Sequence, residues 1–308
     1  MGNNWRKLAI LAKIESSYGT DSVPTGGANA ILATDARHTQ LEGQEVSRDL
    51  LLPYLGHQGV ILTGLYSVLE FSVEIAGSGA AGTAPKWGPL MRACAMAEVI
   101  DPGVSVAYSP VSASYEALSI YFNRDGIRSI LLGARGNCSL ELVPQSIPRF
   151  RFRFVGLLGT ISDTALPATT LTGFVKPVPV NKANTTISLH GVAPGFERLA
   201  LDLGNQVEPD LLINTESIEM VDRQVTGTAV LRRVPLATKD WPAIARAHTT
   251  GVLDVAHGTV PGNIVEFDAG AVQIGRGQEG ETRKIINGTL PLMALPTNGN
   301  DEFTITVK

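Results

Sequence analysis

The sequence predicts a mainly β chain made of two tandem copies of one module, each with a single short α-helix. Three observations carry that prediction. The first is a change of period within residues 64–99. Leu69, Phe71, Val73 and Ile75 alternate with Val68, Glu70, Ser72 and Glu74, the period-two pattern of a half-buried strand. A glycine-rich link from Gly77 to Gly82 follows, too poor in side chains to pack. Trp87, Leu90, Met91 and Cys94 then fall at helical spacing behind Pro85 and Pro89, prolines that suit a helix start.

The second observation is that this unit recurs. Trp87 and Arg92 reappear as Trp241 and Arg246 at one offset. Arg37, Gly43, Val46, Asp49, Leu50 and Leu51 reappear as Arg198, Gly204, Val207, Asp210, Leu211 and Leu212 at another. Thr63 and Gly64 match Thr226 and Gly227, and Phe150, Phe152 and Phe154 match Phe303, Ile305 and Val307. Matches kept in order at nearly constant spacing point to an internal duplication. The third observation is strand runs cut by turn signals, such as 117–122 and 127–132 around Asp125-Gly126, a strong hairpin cue.

Taken in order, residues 1–36 form an N-terminal arm. Its part from 13 to 35 is polar and rich in Gly, Pro, Ser and Thr, a composition with little core of its own, either disordered or ordered against a neighbour. Deleting 13–35 is therefore expected to leave a folded chain. The first copy spans 37–156, with strands near 37–52 and 59–76, a helix at 86–99, and strands near 139–143 and 149–155. The loop between the first two strands carries apolar Tyr54 and Leu55. It either folds back or docks on another subunit. Residues 157–184, with the run from Lys176 to Val180, read as a linker. The second copy spans 185–308, with a helix at 240–249 capped by Asp240. Its strands fall near 186–190, 198–203, 206–213, 217–222, 227–234, 263–268, 271–275, 282–288 and 302–307.

Composition bounds the function. A chain of 308 residues is long enough for two domains of common size. A formal charge of −4 supplies no basic field for holding nucleic acid. Cys94 and Cys138 make no disulfide framework, and free thiols in an intracellular folding site fit them best. The first residues are too short an apolar run for a signal peptide, and nothing approaches a membrane span of about 20 apolar residues.

Chemistry-bearing patterns are sparse. Five histidines are scattered without metal-ligand spacing. The letters of GxGxxG occur at Gly275, Gly277 and Gly280, but strand character follows where a phosphate-binding helix would be needed. A hairpin with a glycine-rich turn is the expectation. In 149–154, Arg149, Arg151 and Arg153 alternate with three phenylalanines. That strand is either an aromatic platform for single-stranded nucleic acid or a core strand whose arginines meet carboxylates across a subunit boundary. The second reading is preferred. Pairs such as Glu216 and Glu219 read as solvated faces. No catalytic, metal or cofactor site is expected, and the chain reads as a non-enzyme.

Residues 13–25, the run Glu45-Val-Ser-Arg-Asp49 and the stretch 77–94 resemble the tail tube (major tail) proteins of long-tailed, non-contractile bacteriophages. That resemblance implies a β-sandwich or barrel with one helix per domain and a structural virion protein of the phage tail, assembled in the host cytoplasm. It also implies self-assembly into rings that stack into a hollow tube. Partners would be other copies of the chain, a tape-measure protein and a tail terminator, with double-stranded DNA passing through without specific binding. Fused domains imply a trimer ring of pseudo-six-fold symmetry, with a hexamer as the other possibility. Arms and loops reaching other subunits would then use Tyr18, Val23, Pro24, Tyr54 and Leu55, together with Arg149, Arg151 and Arg153. A lumen that lets DNA slide should be neutral or negative, and its candidate residues are Glu70, Glu74, Glu216 and Glu219. The competing reading is a β-sandwich component of a tail tip or baseplate that binds a receptor or carbohydrate.

Overall fold

A computed structural model describes residues 4–308. The chain is mainly β, and its two helices have only 5 and 7 residues. In chain order the first half contains β1 (Leu8–Ile14), β2 (Ala30–Ile31), β3 (Thr34–Ser47), β4 (Val60–Glu74), α1 (Gly88–Arg92), β5 (Met96–Asp101), β6 (Ser105–Pro110), β7 (Leu118–Arg124), β8 (Ile127–Leu142) and β9 (Arg149–Asp163). The second contains β10 (Thr185–Leu189), β11 (Phe196–Asp202), β12 (Asn205–Leu212), β13 (Thr215–Arg223), β14 (Thr226–Arg232), α2 (Trp241–Ala247), β15 (Thr250–His257), β16 (Val265–Ile274), β17 (Gln278–Thr282), β18 (Ile285–Ala294) and β19 (Thr304–Val307).

The duplication is written in the strand pairing. In the first half the antiparallel order is β1, β7, β8, β9, β4, β3. In the second it is β10, β15, β16, β18, β14, β11. Both ladders use their strands in the same chain order, and both place the helix after the fifth strand of the ladder. One shared backbone kink marks the correspondence. Gly43 and Gly204 both take positive φ, and a Cβ on Gly204 would come within 1.9 Å of the Gln224 carbonyl oxygen. Only glycine fits such an approach.

Alternation explains which side is core. Leu69, Phe71, Val73, Phe150, Phe152 and Phe154 are buried on one face of β4 and β9. Trp87 closes that layer, its ring 5.0 Å from Phe150 and 5.2 Å from Tyr108, and its Nε1–H donates to the Ala76 carbonyl at 2.8 Å. In the second half Asp240 caps α2 by accepting from the Ala243 N–H, and left-handed His248 ends it, the usual start and stop devices of a short helix.

Several expectations change. The helix expected at 86–99 is confined to Gly88–Arg92, because Ala95 turns left-handed and β5 begins at Met96. The stretches 263–268 and 271–275 are one strand, β16. The glycines at 275, 277 and 280 do not make a hairpin turn. That turn is Arg283–Lys284, both at positive φ, and the first two glycines lie in the break between β16 and β17. The match of Phe150, Phe152 and Phe154 to Phe303, Ile305 and Val307 is not structural. The counterpart of β9 is β18, whereas β19 joins β16 and reaches across to β6 of the first half.

The segment 1–36 is more than an arm. β1 pairs along β7 and buries Ile10, Leu11 and Ala12. Buried Glu15 accepts from the Gly19 and Gly133 N–H groups and from the Ser119 hydroxyl, while Ala30 and Ile31 close on β1. A neighbour is not needed to order it. Within 157–184, β9 runs on to Asp163, and the remainder lies along the first half through Thr164 to Gly126 and Thr170 to Gly26 backbone bonds.

Candidate assembly surface

The two halves share one sheet. The C-terminal part of β8 is flanked by β9 on one side and by β11 on the other, with Leu142 opposite Leu199 and Leu140 opposite Leu201. An eight-strand path β3, β4, β9, β8, β11, β14, β18, β17 therefore crosses the whole chain. Its terminal strands β3 and β17 each pair with a single strand among the described residues. Unpaired N–H and C=O groups along such edges are templates for another chain.

The face away from the core is concave over the β3, β4, β9, β8 and β11 part of this path. It encloses an open cavity of about 850 Å³ lined by Arg37, Glu70, Glu141, Arg149, Arg151 and Arg153 among others. Arg153 pairs with Glu70 at 3.6 Å, Arg149 with Asp35 at 3.6 Å and Arg151 with Glu141 at 3.4 Å. Glu74 stands opposite Arg149 in the ladder. The three arginines thus meet carboxylates of their own chain, through exposed pairs worth at most about 1 kcal/mol each.

Beyond Gly43 and Gly204 the long hairpins project from this sheet. Among the described residues β12 and β13 pair only with each other and lie over β4 and β9, where Val207, Ile218 and Met220 are buried against Val68, Ala95 and Val155. Glu219 on this hairpin reaches Arg135 of β8 at 3.1 Å, and Glu216 is exposed near its tip. The four glutamates singled out from sequence are therefore split between the concave face and a hairpin seam. Among the described residues, the outer part of the corresponding hairpin of β3 and β4, beyond Gly43 and Gly64, joins no buried apolar cluster. Val46, Ile61 and Leu62 are exposed along it, and Tyr54, Leu51 and Leu55 stand free in its loop.

A family profile described as "Phage tail tube protein" matches residues 5–303. The chain belongs to that family. It is a structural component of the phage tail tube, from a family of structural proteins that self-associate into a tube. No curated protein matches the chain. Among the described residues no helix is long and apolar enough to cross a membrane, and no cluster of His, Cys, Asp and Glu could hold a metal. Cys94 and Cys138 are free and buried.

In this tail tube protein Tyr18 works within the chain. Its hydroxyl accepts from the Ile218 N–H of β13, its ring lies 4.7 Å from the Arg135 guanidinium, and burial raises its pKa. Pro24 is buried, whereas Val23 is exposed at positive φ. The residue missed by sequence reasoning is Arg135, which donates to the Ile218 and Tyr115 carbonyls and clamps hairpin to sheet. Its signal was present as Arg135-Gly136-Asn137, repeated as Arg276-Gly277-Gln278. A second missed feature is a cleft of about 680 Å³ between α2 and the β17–β18 hairpin, lined by Leu236, Trp241, Ile274 and Leu290.

Proposed function

We propose that copies of this chain close into rings through their free sheet edges, and that the rings stack into the hollow tail tube. One observation carries the reading: the internal β8–β11 junction leaves unpaired edges, β3 and β17, at opposite ends of one sheet. Such head-to-tail edges are heterologous, and a fixed rotation between them closes a ring. Each chain supplies two domains, so three chains make a trimer of pseudo-six-fold symmetry. The concave polar face lines the lumen. There Arg37, Arg149, Arg151, Arg153 and Arg198 are equalled in number by Asp35, Glu70, Glu74, Glu141 and Asp202, with Glu141 meeting both Arg151 and Arg198, a neutral wall along which DNA slides without specific binding. The tube encloses a tape-measure protein during assembly and ends at a tail terminator. The exposed loop with Tyr54 and Leu55 reaches the adjoining ring. Electron microscopy of the purified protein at rising concentration tests this. Three-chain rings and hollow rods are expected, and chains that stay single at every concentration overturn it.

A further inference from the structure

We infer that the contact between successive chains repeats, strand for strand, the contact between the two halves of one chain, so that β17 of one copy pairs with β3 of the next in a definable register. The inference rests on the ring reading and assigns its interface. Corresponding rows of the two ladders supply the register. In the first half His38, Leu69, Phe154 and Gly136 lie side by side, and in the second Leu199, Ala229 and Leu290 do the same. Gly136 and Gly277 fix the match, since a Cβ on either would meet the large side chain beside it, Phe154 at 2.6 Å and Leu290 at 2.9 Å. Counting along from that row, Glu141 corresponds to Thr282 and Ala200 to Thr39. Glu141 and Ala200 are directly opposed within the chain. Thr282 of one copy therefore opposes Thr39 of the next.

The hairpins obey the same rule. Val207 and Met220, buried on the first half, correspond to exposed Val46 and Ile61. Their seat, formed by Val155 and Arg135, corresponds to exposed Pro291 and Arg276 of the second half. Val46 and Ile61 are uncovered because the surface that covers them belongs to another copy. The seam chemistry differs in one useful way. The internal seam joins Leu140 to Leu201 and Leu142 to Leu199, whereas the corresponding positions between chains are Glu281 with Gln40 and Arg283 with His38. Polar seam residues keep the free edges soluble until the ring closes.

The test is a paired-cysteine experiment on the full chain, Thr39→Cys with Thr282→Cys, oxidised under conditions where rings are seen by microscopy. Opposed residues of an antiparallel pair lie about 4.5–5.5 Å apart between Cα atoms, inside disulfide range. A reducible covalent ladder ending at the ring is expected, formed at least about tenfold faster than with Thr39→Cys and Gly280→Cys, a diagonal pair about 7–8 Å apart. Rings in which Thr39→Cys and Thr282→Cys do not join, or in which the diagonal pair joins faster, overturn the inference and leave the tube reading standing. If the cysteine variants do not fold, Ile61→Asp replaces them. It is expected to abolish rings while leaving the single chain folded, and normal rings from it overturn the inference. A wild-type chain that forms no rings overturns both.

Discussion

The contrast between Met220 and Ile61 tests the duplication argument most directly, because the two residues hold corresponding places on corresponding hairpins. Met220 is 9% exposed and packs with Ile218 and Val207 on β4 and β9, whereas Ile61 is 55% exposed. Truncating a buried methionine to alanine costs about 2–5 kcal/mol. Met220 lies at the rim of its cluster, where relaxation is easy, so Met220→Ala is expected at the low end, about 2 kcal/mol. Ile61→Ala in the dissociated chain is expected within about 0.5 kcal/mol of wild type, as for other exposed sites. Its effect appears on assembly instead. Burial of an isoleucine contributes about 1.5–3 kcal/mol, so each inter-chain junction should weaken by roughly 10- to 100-fold. Urea unfolding of the dilute chain and sedimentation across a concentration series read the two quantities separately. Equal destabilisation of the dilute chain by both variants would refute the reasoning, as would an unchanged assembly threshold for Ile61→Ala.

Further outcomes follow from the same structure. Burial, aided by Arg124, holds the His38 pKa down at about 4 against an ordinary 6.5. The unfolded chain therefore takes up this proton first, and its contribution to stability, complete above pH 6.5, is lost as pH falls toward 4. His38→Gln should remove that part of the slope in acid titrations followed by circular dichroism. Asp268 has the opposite sign. Burial, with Glu266 and Asp254 nearby and Lys308 opposing, raises its pKa to about 6, so its contribution is present below about pH 4 and lost as pH rises to 6. Asp268→Asn should make the chain more stable than wild type at pH 7–8, measured as a higher unfolding midpoint. Deleting 13–35 should prevent stable folding, because Glu15, Pro24, Ala30 and Ile31 are buried; a native circular dichroism spectrum with an unchanged midpoint would contradict this. Arg135→Met breaks the two hydrogen bonds that hold the second-half hairpin to the first half, to the Ile218 carbonyl and the Glu219 carboxylate, and a third within the first half to the Tyr115 carbonyl. It should cost about 1–3 kcal/mol, read by denaturant unfolding.

By itself the sequence determined what local rules govern. Period-two alternation located β4 and β9, Asp125-Gly126 located the hairpin of β7 and β8, and Asp240 located the start of α2. The shared Gly43 and Gly204 already marked a repeated unit, since a backbone approach that excludes a Cβ leaves a glycine wherever it recurs. The tertiary structure alone decided which strands are neighbours. β1 reads as part of an N-terminal arm until its partner β7, far along the chain, is in place, and β19 looks like a copy of β9 until its partners turn out to be β16 and β6. Strand pattern fixes which face is buried but not which edge is met, because every strand offers the same backbone groups to any partner. For the same reason exposed Val46 and Ile61 and buried Val207 and Met220 look alike in sequence. Whether such a residue is covered depends on a distant surface, and only the fold shows that the first half has one to offer its own chain.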